Sequence, residues 1–316
     1  MHLIDGIGHT PLVALRHLPA GCHAPIWVKC EHLNPGGSIK DRTALAIILD
    51  AEVRGALTTG QTIVEATAGN TGVGLALVAA SRGYRVACVM PEKMSADKRD
   101  TLRALGVELH IVPNAPPTDP ASFQRVAERM ARERGWLLAD QFRNPANIFA
   151  HEEGTASELL DQTEGRIGAF VAGAGTGGTI TGVARRLRRE GIGARVVLAD
   201  PLGSRLTGWI NEGALGADGS YAVEGIGASE PPVNLDRGVI DEAIQISDEE
   251  SFATAAHLIR REGLLVGGSA GTAVAAAIRL SLRPASAGLA GPIVVVLPDG
   301  WDRYRSKPWL RAILDR

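Results

Sequence analysis

Paired cysteines, long apolar runs and net charge are what this sequence lacks. Cysteine occurs three times, at Cys22, Cys30 and Cys88. An odd count without a Cys-x-x-Cys gives neither a disulfide framework nor a zinc site. The adjacent Cys22-His23 has no second ligand pair, so no metal is expected. Reduced thiols fit a cytoplasmic setting. No apolar run approaches the ~20 residues of a helical membrane span. The opening Met1-His2-Leu3-Ile4-Asp5 lacks a basic region followed by an apolar one, so no secretion signal is expected. Lys and Arg number 33 against 35 Asp and Glu, a net charge of -2. That balance makes no electrostatic case for nucleic acid. There is no repeat of solenoid length and no low-complexity tract.

What is present is a chain of 316 residues, long enough for about two domains or lobes. Hydrophobic residues make up 45% and charged residues 22%, as in a soluble globular enzyme. Strand-like segments at 26–30, 62–66, 85–90, 107–112, 169–172, 195–199 and 292–297 alternate with helix-like ones. The helix-like segments lie at 43–55, 73–82, 95–105 (capped by Ser95), 122–134, 151–160, 180–190, 251–262 and a last one ending at 282. Residues 202–222 read as a long irregular loop. The alternation predicts an α/β protein with mainly parallel sheets. Ligands in such folds gather beyond the carboxyl ends of the strands.

Four glycine-rich turns precede helix-like segments. Asn34-Pro35-Gly36-Gly37 lets backbone approach a ligand and leads to Lys40, near a helix N-terminus where a cation is disfavoured. An amine held neutral there can form a Schiff base with an aldehyde. Taken alone, a surface turn with a solvated lysine explains the same residues. Gly175-Thr176-Gly177-Gly178-Thr179 offers unhindered amides and two hydroxyls at a helix start, a cradle for phosphate whose following helix adds positive charge. Thr67-Ala68-Gly69-Asn70-Thr71-Gly72 suits a carboxylate, and Gln141 at a strand end could donate to the same group. Ser269 in Gly267-Gly268-Ser269-Ala270-Gly271 reads in isolation as a helix cap. Gly173, Gly175 and Gly178 also fit a dinucleotide fingerprint, with Asp200 where a ribose-binding acid would stand. An NAD-dependent dehydrogenase is therefore a second reading, against which Pro201 directly after the acid counts.

Assembled, these residues resemble the cysteine synthase and cystathionine β-synthase family from about Gly6 to Tyr304. The matching stretches are NPGGSIKDR, EATAGNTGVGLAL, MPEKMSADKRDTLRALG, DQFRNPAN, GAGTGGTITG, EGIG, EGLLVGGSAG and VVVLPD. The resemblance implies a two-lobed tryptophan-synthase-β-like fold (fold type II). Each lobe would be a mainly parallel sheet flanked by helices, with residues 1–44 and 151–316 forming a larger domain and 45–150 a smaller mobile one. It implies pyridoxal 5'-phosphate as cofactor, with Lys40 as the lysine that binds its aldehyde and moves protons. Asn70 matches the residue at the ring hydroxyl, Gly175, Thr176, Gly177, Gly178 and Thr179 the phosphate cradle, and Ser269 the serine facing the ring nitrogen. Thr67, Ala68, Asn70, Thr71 and Gln141 match the set that holds the substrate carboxylate, and Gly225 a glycine lining the substrate cleft.

The implied reaction is β-replacement on serine or an O-activated serine through an aminoacrylate. The blocks GYRVACVMPEKMS, VEGIG and DEESF resemble cystathionine β-synthases, which use homocysteine, whereas Phe142 and NPAN resemble cysteine synthases. Ala68 stands where many members have serine, and Ala228-Ser229 where animal cystathionine β-synthases have Tyr-Asp. The resemblance further implies a homodimer acting on small amino acids, without nucleic-acid or membrane partners. No haem or adenosyl-methionine control is expected, because the chain begins and ends near the core the motifs define.

Overall fold

The computed structural model describes residues 2–315 except 68, 93, 95 and 117, so the proposed Ser95 cap lies outside the described residues. In chain order the first elements are β1 (Leu12–Ala14), β2 (Ile26–Cys30), α1 (Lys40–Val53), β3 (Thr62–Ala66), α2 (Asn70–Arg82) and β4 (Arg85–Pro91). Then come α3 (Ala96–Ala104), β5 (Glu108–Val112), α4 (Phe123–Arg134), β6 (Leu137–Leu138), α5 (Ala146–Phe149) and α6 (Ala156–Thr163). The last are β7 (Ala169–Gly173), α7 (Gly178–Arg189), β8 (Arg195–Pro201), α8 (Leu206–Glu212), β9 (Glu242–Ile246), α9 (Asp248–His257), α10 (Gly268–Ser281), β10 (Ile293–Leu297) and α11 (Pro308–Leu314). A π-helical turn, Ala150–Thr155, joins α5 to α6.

The chain forms two compact units, Met1–Ile7 with Asn34–Asn147, and Gly8–Leu33 with Ile148–Arg316. The first holds a four-stranded parallel sheet in the order β5-β4-β3-β6. Every residue of β3 is buried, as expected for a central strand covered on both faces. Ile63 packs with Ile47, Ile48, Leu75 and Val78 of α1 and α2, while Val64 packs with Ala127 and Met130 of α4. Residues 1–7 and 34–44, expected with the larger domain, fall in this unit, and 148–150, expected with the smaller, fall in the other. For 34–44 the cause is the packing of α1 on α2: a Cβ at Gly74 would lie 2.9 Å from the Lys40 carbonyl oxygen, so only glycine permits the approach.

The second unit holds six strands in the order β1-β2-β10-β7-β8-β9, parallel apart from the edge strand β1. Val28, Val171, Val197 and Val295 pack with Ala270, Ala273, Val274 and Ala277 of α10. Small side chains along α10 let it lie close to the strands. Lys29 of β2 is fully buried, and its ammonium donates to Glu158 (2.6 Å), Gln162 (2.9 Å) and the Thr10 carbonyl (2.7 Å). All three of its protons are thereby matched.

The α/β class and its parallel sheets are as expected, with differences in detail. Both α1 and α2 start three residues earlier than their apolar spacing suggests. The supposed loop 202–222 contains α8, a helix too short and too interrupted by Gly208 to show a period. Strand β9 was not anticipated; Glu242 and Gln245 interrupt its apolar residues as befits a sheet edge. Among the described residues no helix is long and apolar enough to cross a membrane.

Candidate active site

In the first unit, the parallel pairing of β3 with β6 sets Val64 opposite Leu138. Thr67 and Gln141 each lie three residues beyond that pair, so both follow the carboxyl ends of adjacent strands. Thr67, Thr71 and Gln141 are buried, and Asn70 opens α2. Ala68 lies outside the described residues. Thr71 Oγ1 donates to Gln141 Oε1 at 2.6 Å, and Gln141 Nε2 donates to Glu65 Oε1 at 3.2 Å. Asn147 Nδ2 donates to the Gln141 carbonyl (2.8 Å) and its Oδ1 accepts from Thr43 Oγ1 of α1 (3.2 Å). A buried chain of polar side chains thus ties the helix that begins at Lys40 to the Thr67–Thr71 turn and Gln141. Lys40 itself is held by α1, its backbone N–H donating to Ser38 Oγ at 3.2 Å. Asp41 in the same turn accepts from the Gly36 amide (2.5 Å), which fixes the glycine pair before the lysine.

Neither Glu65 nor Asn147 was singled out from sequence. The signal for Glu65 is a carboxylate inside an otherwise apolar strand. Burial, assisted by the charge of Asp140, pushes its carboxyl up to about 8 against the opposing bonds from Gln141 and the Asp140 and Gln141 backbone.

In the second unit, β7 runs into the turn ahead of α7, whose first residues are Gly178 and Thr179. The Glu224–Gly227 segment packs on this turn: the Gly227 amide donates to the Ala174 carbonyl (2.9 Å) and Gly173 lies against Ile226. That places Gly225 beside Gly175. Thr179 Oγ1 pairs with Nε2 of the fully buried His151 at 3.2 Å, and His151 Nδ1 pairs with Thr155 Oγ1 at 3.0 Å. His151 is a further residue the sequence did not flag, held by the π-helical turn. Ser269 is buried in the first turn of α10.

Two expectations are corrected here. The basic residues of α7 do not add to an anion cradle. Arg185, Arg186, Arg188 and Arg189 sit in its last two turns and pair with Asp236, Glu153, Asp241 and Glu152. Asp200 is no ribose ligand either. It is 1% exposed, and its Oδ2 accepts from the Thr207 amide (2.9 Å) and hydroxyl (2.8 Å) at the start of α8. Burial raises its carboxyl, opposed by these bonds and by Ser204. Asp200→Ala is expected to cost about 1–2 kcal/mol, as loss of a helix-start acceptor does. A lower urea midpoint checks it, and neither protein should bind NADH.

The sequence profile of the family described as "Pyridoxal-phosphate dependent enzyme" matches residues 3–299. The chain belongs to that family. It is therefore an enzyme that uses pyridoxal phosphate. It is 44% identical to a cystathionine beta-synthase of Apis mellifera over 96% of this chain and 60% of that protein. It is 46% identical to the cystathionine beta-synthase of Mus musculus over 96% of this chain and 54% of that protein. The chain thus spans little more than half the length of these relatives. A crystal structure of O-ureido-L-serine synthase superposes with a TM-score of 0.88 at 38% identity, covering 98% of this chain and 95% of that one. A lysine-to-alanine mutant of the same enzyme with O-ureido-L-serine bound gives 0.86 at 37% identity, covering 98% and 93%. These likenesses make the family a fold type II one.

The residues present fit the cofactor's phosphate on a feature of the backbone. A Cβ at Gly175 would overlap the Gly225 carbonyl oxygen, and one at Gly177 would lie 2.6 Å from Leu235 backbone atoms. Gly177 also has φ +85, a left-handed conformation that favours glycine. The turn is drawn tight and leads into a helix of 12 residues. The first amides of a helix lack intrahelical partners and favour an anion.

Proposed function

We propose that this chain catalyses β-replacement on serine or an O-activated serine, as a cystathionine β-synthase that joins serine or O-acetylserine to homocysteine. The observation that carries this reading is the tie, within one unit, of the Lys40 helix to the Thr67–Thr71 turn and Gln141. A reactive amine beside a carboxylate-binding turn is what an α-amino acid substrate requires. Identity of 44–46% to cystathionine beta-synthases supports homocysteine as acceptor. Cysteine synthase activity with O-acetylserine and sulfide is the alternative, supported by Phe142 and the NPAN motif.

When bound, pyridoxal phosphate supplies an electron sink for the bonds at the substrate's Cα. Lys40 Nζ carries the cofactor, takes the proton from Cα and later returns it. Thr67, Asn70, Thr71 and Gln141 hold the substrate carboxylate, with Ala68 contributing backbone only. Asn70 would also hold the ring hydroxyl, and Gly225 would line the substrate's path. Gly175, Thr176, Gly177, Gly178 and Thr179 grip the phosphate through amides and hydroxyls, with Thr179 oriented by His151. Ser269 would offer the ring nitrogen an uncharged hydroxyl, which would keep that nitrogen unprotonated and so favour elimination over transamination. We read the protein as a cytoplasmic homodimer, consistent with its free cysteines and its family.

The test is a matrix of donors and acceptors with the product identified by mass. Serine, O-acetylserine and O-phosphoserine are each offered with homocysteine, sulfide and hydroxyurea. Cystathionine is the expected product. Cysteine alone would favour the alternative, and no β-substituted product from any pair would reject both.

A further inference from the structure

We propose that Glu65 is a positioning residue whose proton sets the direction of a hydrogen-bond relay through Gln141 to Thr71, and thereby the affinity for the substrate carboxylate. The inference rests on the carboxylate role proposed for Thr71 and Gln141.

The relay is Glu65 Oε1, Gln141 side-chain amide, Thr71 Oγ1, with links of 3.2 and 2.6 Å. All three side chains are buried, and Glu65 is 1% exposed. Its second oxygen, Oε2, has no hydrogen-bond partner. A primary amide presents its oxygen and NH2 at near-equivalent positions, so a half-turn of the amide exchanges them and reverses its polarity while both hydrogen-bonding positions stay filled. With Glu65 ionised, the carboxylate accepts from Gln141 Nε2, and Gln141 Oε1 accepts the Thr71 hydroxyl proton. Thr71 then turns lone pairs toward any anion next to it. With Glu65 protonated, its O–H donates to the Gln141 carbonyl oxygen and the Gln141 NH2 donates to Thr71. The Thr71 proton is then available to a carboxylate. Only the second direction ends in a donor.

The surroundings of Glu65 favour its proton. From β4 the Cys88 thiol faces it, held neutral by burial. Asp140 adds negative charge from the loop after β6. Gln124, Arg125 and Glu128 of α4 and Arg143 line, with Glu65, a pocket of about 270 Å³. Both arginines are already engaged, Arg143 with Glu128 and Asp140, and Arg125 with Glu128. The ordinary value for a glutamate is 4.5, and here it is about 8. The structure holds the acceptor-ended direction; a proton on Glu65, favoured below about pH 8, turns the amide to the donor-ended one, and its loss as pH rises through 8 turns it back.

The experiment measures propionate binding to the pyridoxal-phosphate-loaded enzyme by calorimetry between pH 6.5 and 9.5. Propionate stays ionised throughout and has no amino group to titrate. Its Kd is expected to rise about tenfold from pH 7 to pH 9, as one linked proton dictates. Glu65→Gln, whose NH2 can donate permanently to Gln141, should keep the pH 7 affinity across the range. Infrared difference spectra of the unliganded protein should show a protonated carboxyl stretch at pH 7 that Glu65→Gln removes. Bound propionate should hold that band to higher pH, since the coupling is reciprocal. A pH-independent Kd in the wild type, an alkaline loss that persists in Glu65→Gln, or no carboxyl band at pH 7 would each overturn the inference. A band present without propionate binding at any pH would instead remove the carboxylate role of Thr71 and Gln141, and this inference with it.

Discussion

Lys40→Ala is expected to lower β-replacement turnover by a factor on the order of 10³ or more, because one substitution removes both the covalent anchor and the proton carrier. The near-visible absorbance that appears when pyridoxal phosphate is added to the wild type should be missing. The fold should survive. Lys40 lies at the first position of α1, where alanine is an excellent helix former. The close approach to Gly74 involves the carbonyl of residue 40, which alanine keeps. Turnover and circular dichroism measured together separate lost chemistry from lost structure. Retained turnover or a retained absorbance band would return Lys40 to the status of a solvated surface lysine.

Gly175→Ala should have the next largest effect. The added methyl would overlap the Gly225 carbonyl oxygen, a backbone atom that no side-chain rotation can move. Overpacking of this kind costs about 1–3 kcal/mol. Relief requires the 224–227 segment or the turn itself to shift, and either movement spoils the cradle. The affinity for pyridoxal phosphate is expected to fall about tenfold to hundredfold, with 1.4 kcal/mol per decade. A titration followed by absorbance checks the affinity, and the thermal midpoint of the cofactor-free protein checks the fold. Unchanged affinity in a variant of unchanged stability would exclude the Gly175 turn as the phosphate site.

Much of the architecture is legible in the sequence, for reasons visible in particular elements. The runs at 26–30, 62–66 and 169–173 are mostly apolar, broken only by Lys29, Thr62 and Glu65, because helices cover their strands. Several glycine turns announce themselves because close backbone approach, as at Gly175 and Gly177, allows no other residue. What stayed hidden depends on partners remote in sequence. The starts of α1 and α2 read as turns, since their first residues face polar chemistry and not the core. The arginines of α7 look like a basic helix until their acidic partners on other elements are seen. Asp200 mimics a ribose ligand by spacing alone, while its actual partner is Thr207. Glu65, Asn147 and His151 matter through side chains they touch across strands and turns, and no local pattern encodes those contacts.

The pairing of β2 with β10, Ile26 opposite Ile293 and Cys30 opposite Leu297, has a consequence for how the protein is made. On the ribosome, β2 emerges about 260 residues before its central parallel neighbour β10. The stretch Asn34–Asn147 meanwhile carries all four strands of its own sheet. It can fold while translation continues, whereas the nascent second sheet keeps an open, apolar edge until Ile293–Leu297 arrives. Parallel pairing over so long a loop is slow and exposes such an edge to aggregation. Chaperone demand should therefore fall on Gly8–Leu33, the segment of the second unit that lies before the insertion and waits longest for the strand that completes it.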